Sequence, residues 1–235
     1  MLVFCHLFVG AAIGLAVARA TGDRRLFAAG LVAGILPDLI DKPIGHLLFA
    51  STLDNGRLIA HSLGFVLALL VVGTLLLRRR GLLLAPVLAL GVLSHQHLDA
   101  MWRDPSAWYF PLLGPFVPGH YPDYFLTGFM AELGSPSEWL FGAATLALVI
   151  AVARPALVPA SATRLAERLL PVLVVAVGLV GLVTLISGVI GLPTSFAPGF
   201  LPLNELLLGL GALGGAVLIG YEYNRPGRER LQQPG

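Results

Sequence analysis

Mostly apolar blocks of roughly 17 to 25 residues, the length that crosses about 30 Å of hydrocarbon as a helix, recur along this chain. Seven can be drawn, at approximately 2 to 18, 26 to 48, 58 to 77, 82 to 102, 137 to 153, 169 to 190 and 201 to 221. The second is interrupted by PDLIDKP, where Pro37 and Pro43 remove backbone donors. That helix is expected to cross only to about Pro37 and then run along the interface. A stretch from 103 to 136, rich in aromatics, Pro and Gly, separates the fourth and fifth blocks and suits a headgroup region. The pattern predicts an all-α fold, a polytopic transmembrane helix bundle of about seven spans. Residues 1–136 form a first unit of four spans and an outer loop, 137–223 are accessory transmembrane helices, and 224–235 read as a disordered tail.

Composition agrees. Hydrophobic residues make up 57% of the 235 and charged residues 12%, with a mean hydropathy of +0.85, outside the range of soluble domains. The net charge of +2 is small and the basic residues sit in short clusters beside apolar blocks, so no nucleic-acid partner is expected. Cys5 is the single cysteine and forms no intrachain disulfide. The first block lacks a basic leader and a small-residue cleavage pattern, so it reads as a retained span.

The basic clusters orient the bundle. Arg19, Arg24 and Arg25 follow the first block; Arg78 to Arg80 the third; Arg154, Arg164 and Arg168 the fifth; Arg225, Arg228 and Arg230 the seventh. Of fifteen basic residues only Lys42, Arg57 and Arg103 fall in the other loops. Positive charge gathers on the cytoplasmic side, which puts the N-terminus outside and the C-terminus in the cytoplasm of a cell or inner membrane. All six histidines, His6, His46, His61, His95, His97 and His120, then lie at or near the outer ends, with most of the thirteen acids.

This sidedness is what a shared site requires. In GVLSHQHLDAMW, His95 and Asp99 stand at i and i+4 on one helical face, able to offer an imidazole and a carboxylate to one ion. His97 faces away. Asp38 and Asp41 lie in the broken end of the second block, Arg57 and His61 are placed one turn apart at the start of the third, and His6 is on the first. Three imidazoles and three carboxylates make a nitrogen and oxygen set suited to Zn²⁺, Mn²⁺ or Fe, and large enough for one or two ions. His46 and His120 read as packing residues, and Ser62 as a helix cap. Glu138, at the outer start of the fifth block, is a candidate late ligand or general base.

The segments CHLFVGAAIG, GILPDLIDKP, GRLIAHSLGF and LSHQHLDAMW, in this order, with WYFPLLGPF after them, resemble the YdjM-like family of inner-membrane metal-dependent hydrolases over roughly residues 1 to 118. The resemblance implies that His6, Asp38, His61, His95 and Asp99 hold metal, with Arg57 and Ser62 in support. Many members place their two acids at alternate positions after the proline. Here Leu39 and Ile40 both intervene, which leaves Asp41 less firmly assigned than Asp38. The ordered acid, His and His-x-x-x-Asp pattern is also similar to that of zinc-dependent phospholipases C and single-strand nucleases, implying phosphoester cleavage with Arg57 gripping phosphate.

No His-Glu-x-x-His, Gly-x-Ser-x-Gly or Walker motif occurs. Three functions remain open. The first is an outward-facing metal-dependent hydrolase acting on a small-molecule or lipid-borne phosphoester or similar ester. The second is a cation transporter using the same ligands, and the third a scaffold stapled by a structural metal. Transporter sites usually sit at midplane between repeated halves, and no repeat is visible here. The sequence leaves the oligomeric state open.

Overall fold

The computed structural model describes residues 3–80, 83–152, 159–192 and 202–224. The elements are α1 (Val3–Thr21), α2 (Arg25–Pro43) with a π-helical turn at Ile44–Leu48, α3 (Leu63–Arg80), α4 (Leu84–Leu98), a 3₁₀ turn at Met101–Arg103, α5 (Pro105–Trp108), α6 (Tyr124–Leu133), α7 (Pro136–Val152), α8 (Ala160–Ile190) and α9 (Pro202–Asn224). No strand occurs among the described residues, and the all-α expectation holds. The tail expected to be disordered lies, from 225 on, outside the described residues.

Leucine and valine face outward along the bundle, as Leu67, Val71 and Leu75 do on α3 and Val172, Val175 and Leu179 on α8. A bundle in water turns its polar face outward; this one has the surface of a protein in lipid. Among the described residues three helices are long and apolar enough to cross: Val3–Thr21, Ala160–Ile190 and Leu203–Tyr221. The bent pair Tyr124–Leu133 and Pro136–Ile150 makes a fourth if it is one span. By this measure α2 is loaded with Arg25, Asp38, Asp41 and Lys42, while α4, at 15 residues, rises only about 22 Å.

Close helix contacts set the packing. Gly10 and Gly14 of α1 face Gly30 and Gly34 of α2 in antiparallel order: a Cβ on Gly10 would lie 2.4 Å from the Gly30 carbonyl oxygen, and one on Gly34 2.3 Å from that of His6. Gly181 and Gly209 play the same part between α8 and α9. Phe8, Leu15, Leu26, Phe141, Leu208 and Ile219 bury themselves between α1, α2, α7 and α9, one core that runs across both predicted units.

Several boundaries differ from expectation. Pro37 does not break α2, which continues to Pro43 before widening into the π turn. Packing on two sides, by α1 across the glycines and by α4 at Ala33, holds the helical path past the missing donor. The third helix starts at Leu63, not 58, because Ser62 caps it: the hydroxyl accepts the Phe65 N–H at 3.2 Å. Inside the predicted 103–136 loop lie α5 and α6, and α8 begins nine residues early.

Candidate metal centre

Four chain segments bring their polar groups to one end of the bundle. α1 supplies His6 near its start, α2 supplies Asp38 and Asp41 near its end, the loop before α3 supplies His61, and α4 supplies His95 with Asp99 at its C-cap. Arg19, Arg24 and Arg25 lie at the opposite end of α1 and α2. α4 stops because Ala100 adopts φ +54°, a left-handed conformation uncommon for a residue with a Cβ. Strain of this kind concentrates at functional sites.

One atom each of Asp38, His61, His95 and Asp99 falls within 4.8 Å of the others, and this group could hold a metal ion. The protonation of the two imidazoles is set from behind. His95 Nδ1 donates to the Gly34 carbonyl at 2.8 Å, and His61 Nδ1 donates to Asp41 Oδ2 at 2.8 Å. A carbonyl and a carboxylate only accept, so Nδ1 keeps its proton in both rings, and a ring that gives up its other proton presents a bare Nε2 lone pair inward. Those two Nε2 atoms face each other at 3.3 Å. Two lone pairs would repel there, so either a proton on one Nε2 is shared as a hydrogen bond or a metal ion lies between them.

The other distances fit the same requirement. Asp38 Oδ1 stands 3.6 Å from His61 Nε2 and 3.7 Å from His95 Nε2, and Asp99 Oδ2 is 3.8 Å from His61 Nε2. These are too long for hydrogen bonds. Tetrahedral ligation at about 2.1 Å separates donors by roughly 3.4 Å, close to the spacing found. Asp38 Oδ1 is buried without a hydrogen-bond partner. An unpartnered carboxylate oxygen beside two imidazole nitrogens completes a donor set able to hold a cation.

The remaining sequence candidates take other places. Asp41 lies outside the group of four because its oxygens are occupied: besides His61 Nδ1 they accept the N–H groups of Leu58, Ala60 and His61 at 2.8 to 3.0 Å. Arg57 and His61 are not on a helical turn, since this carboxylate gathers residues 58–61 into an irregular loop. His6 stands at the edge, its Nε2 3.1 Å from Asp99 Oδ1 and its ring stacked on His95 at 4.0 Å. Arg57 Nη2 reaches the Asp99 carbonyl at 3.3 Å and Oδ2 at 3.5 Å. Glu138 is bound elsewhere, accepting the Phe4 and Cys5 N–H groups at 2.7 and 3.2 Å and so capping α1. His97 bonds the Leu93 carbonyl in its own helix.

Four supporting residues escaped the sequence reading. Lys42 is ion-paired with Asp38 Oδ2, which turns Oδ1 toward the histidines. Gln96, fully buried, donates to the Ala60 and Ser62 carbonyls and accepts from Trp108 Nε1, clamping the loop that carries His61. Asn204 of α9 donates to the Leu98 carbonyl at 2.9 Å, just ahead of Asp99. Gly34 both accepts from His95 and admits α1. Only the glycines left a sequence signal, two Gly-x-x-x-Gly pairs.

A family model described as YdjM inner membrane protein matches residues 1–187. The chain belongs to the YdjM family. The match covers every residue of the centre and runs through α7 into α8, well past the 118 residues that carry the resemblance in sequence motifs. No curated protein and no solved structure matches this YdjM-family chain.

Proposed function

We propose that this chain is a membrane-embedded, metal-dependent hydrolase that cleaves a phosphoester, with its site on the extracytoplasmic side of the cell membrane. The observation that carries the reading is the asymmetry of the centre: His61 and His95 are fully buried, whereas Asp99 is 16% and the neighbouring Arg57 43% exposed. A structural metal site is closed on all sides, while a catalytic one keeps an open edge. Here the open edge carries a guanidinium, which suits an anionic substrate and not the passage of a cation.

Asp38, His61, His95 and Asp99 would hold Zn²⁺, with Mn²⁺ or Fe as alternatives, and His6 stands ready to share Asp99 with a second ion. A bound divalent cation supplies Lewis acidity and brings the pKa of water down toward about 7. Asp41 and Gly34 keep both imidazoles in the tautomer that ligates. Lys42 offsets the negative charge of Asp38. Arg57 binds and orients a phosphoryl oxygen, and its contacts to Asp99 hold the guanidinium beside the donors.

Seven helices, α1 to α4 and α7 to α9, alternate in direction. Glu138 ties the start of α7 to the start of α1, and Asn204 the start of α9 to the end of α4. This alternation supports seven crossings, with the centre outside and the arginines between α1 and α2 in the cytoplasm. Elemental analysis of purified protein, paired with turnover of bis(p-nitrophenyl) phosphate, tests the reading. Stoichiometric metal and measurable turnover are expected, both abolished in His95→Ala and Asp38→Ala. Full turnover by protein stripped of metal would overturn it.

A further inference from the structure

Helix α6 meets α7 at 81°, so it lies across the site end of the bundle while α7 runs along it. Its half-buried stripe is Tyr124, Gly128 and Glu132, spaced at i, i+4 and i+8. Tyr124 stacks on His46 with ring centroids 3.5 Å apart. No residue of α6 is buried, and Phe125, Leu126, Phe129, Met130 and Leu133 are all exposed. A helix laid flat with its free surface made of large apolar side chains has the character of one seated at the boundary between headgroups and acyl chains.

Exposed apolar side chains also stand on the π turn, whose His46 packs on α6, and on the segment after α5. Leu48, at the end of the π turn, is 74% exposed and Leu112, after α5, 83%. Hydrogen bonds tie this collar to the mouth of the centre: Gly119 N–H donates to the Leu53 carbonyl, Asn55 Nδ2 to that of Val117, and Arg57 N–H to Asn55 Oδ1. Arg57 then reaches Asp99. An exposed cation therefore stands between an open ligand edge and a belt of exposed apolar side chains.

We infer that α6 and its neighbouring segments form a lateral portal on which a membrane phospholipid docks, its phosphate against Arg57 and its acyl chain along Leu126 and Phe129. Both ends of the site match such an amphiphile, the guanidinium its charge and the belt its tail; a water-soluble phosphoester would engage the first alone. The inference rests on the hydrolase reading for the fate of the lipid and not for its docking.

Full-length protein in nanodiscs of phosphatidylethanolamine and phosphatidylglycerol provides the test. Spin labels on Leu126→Cys and Phe129→Cys should collide more with oxygen than with a water-soluble nickel chelate, while buried Cys5 stays unlabelled. The reverse order overturns the portal. In native mass spectrometry, wild-type protein should retain phosphatidylglycerol through detergent dilution and Arg57→Ala should lose it; equal retention overturns the headgroup assignment. Leu126→Ser with Phe129→Ser should lower kcat/KM on vesicle phospholipid about tenfold more than on bis(p-nitrophenyl) phosphate, and an equal loss on both overturns acyl-chain docking. Lipid-exposed labels and retained phosphatidylglycerol in metal-loaded protein that cleaves neither substrate would leave the portal standing and remove the hydrolase.

Discussion

His61 Nδ1 and Asp41 Oδ2 meet at 2.8 Å, and the same carboxylate receives three backbone N–H groups of the loop that carries His61. Asp41 thus orients a ligand without being in the group of four. Asp41→Asn puts an amide N–H against these donors and is expected to weaken metal binding about 10- to 100-fold. Competition against a chelator measures this. Unchanged affinity would remove the orienting role.

The glycine crossing of α1 and α2 sets how near His6 comes to His95. A Cβ at Gly34 meets backbone at 2.3 Å, whereas one at Gly214 meets nothing within 4 Å. Gly34→Ala is therefore expected to destabilise by about 1–3 kcal/mol, lowering Tm by roughly 2–4 °C per kcal/mol, and to reduce bound metal. Gly214→Ala should leave both unchanged or slightly raise Tm. Thermal unfolding in detergent with parallel metal analysis distinguishes the two.

Much of the centre was legible and much of its support was not. The i, i+4 spacing of His95 and Asp99 survives because α4 stays helical up to the C-cap. Asp38 and His61 were found because an ionisable side chain within apolar sequence demands a partner. The apolar pattern predicts helix around His61, but the segment is a loop, since its shape is dictated by a carboxylate 17 to 20 residues away, a contact no local pattern encodes. Gln96 and Asn204 act across 34 to 106 residues and leave no periodic trace. Pro37 misled because local backbone rules yield to packing on both sides of α2.

Asp54 links the collar to pH. Its carboxyl is held below the usual carboxylate range, first by the hydrogen bond with His46 and then by the Tyr121 N–H. A folded pKa below the unfolded value of about 3.9 means that the contribution is complete above that value and is lost as pH falls through the folded pKa. Amide-exchange protection at Tyr121 is expected to hold from neutral pH to about pH 4 and to collapse below it. Asp54→Ala, which leaves no acceptor, should abolish that protection at every pH, whereas Asp54→Asn, whose amide oxygen still accepts, should keep it below about pH 4; an alanine variant as protected as wild type would refute the link.

Glu138 distinguishes capping from catalysis. Its carboxylate satisfies two N–H groups at the start of α1, a region with no intrahelical acceptor. Glu138→Ala is expected to cost about 1–2 kcal/mol of stability while bound metal stays stoichiometric. Loss of metal with an unchanged Tm would place the residue in the centre instead.

The bond from Asn204 to the Leu98 carbonyl joins groups 106 positions apart. Translation delivers the four donors long before it delivers that asparagine, so the peptide preceding Asp99 lacks its partner until α9 has been made. A fragment ending at α7 would contain every ligand and still lack the finished geometry.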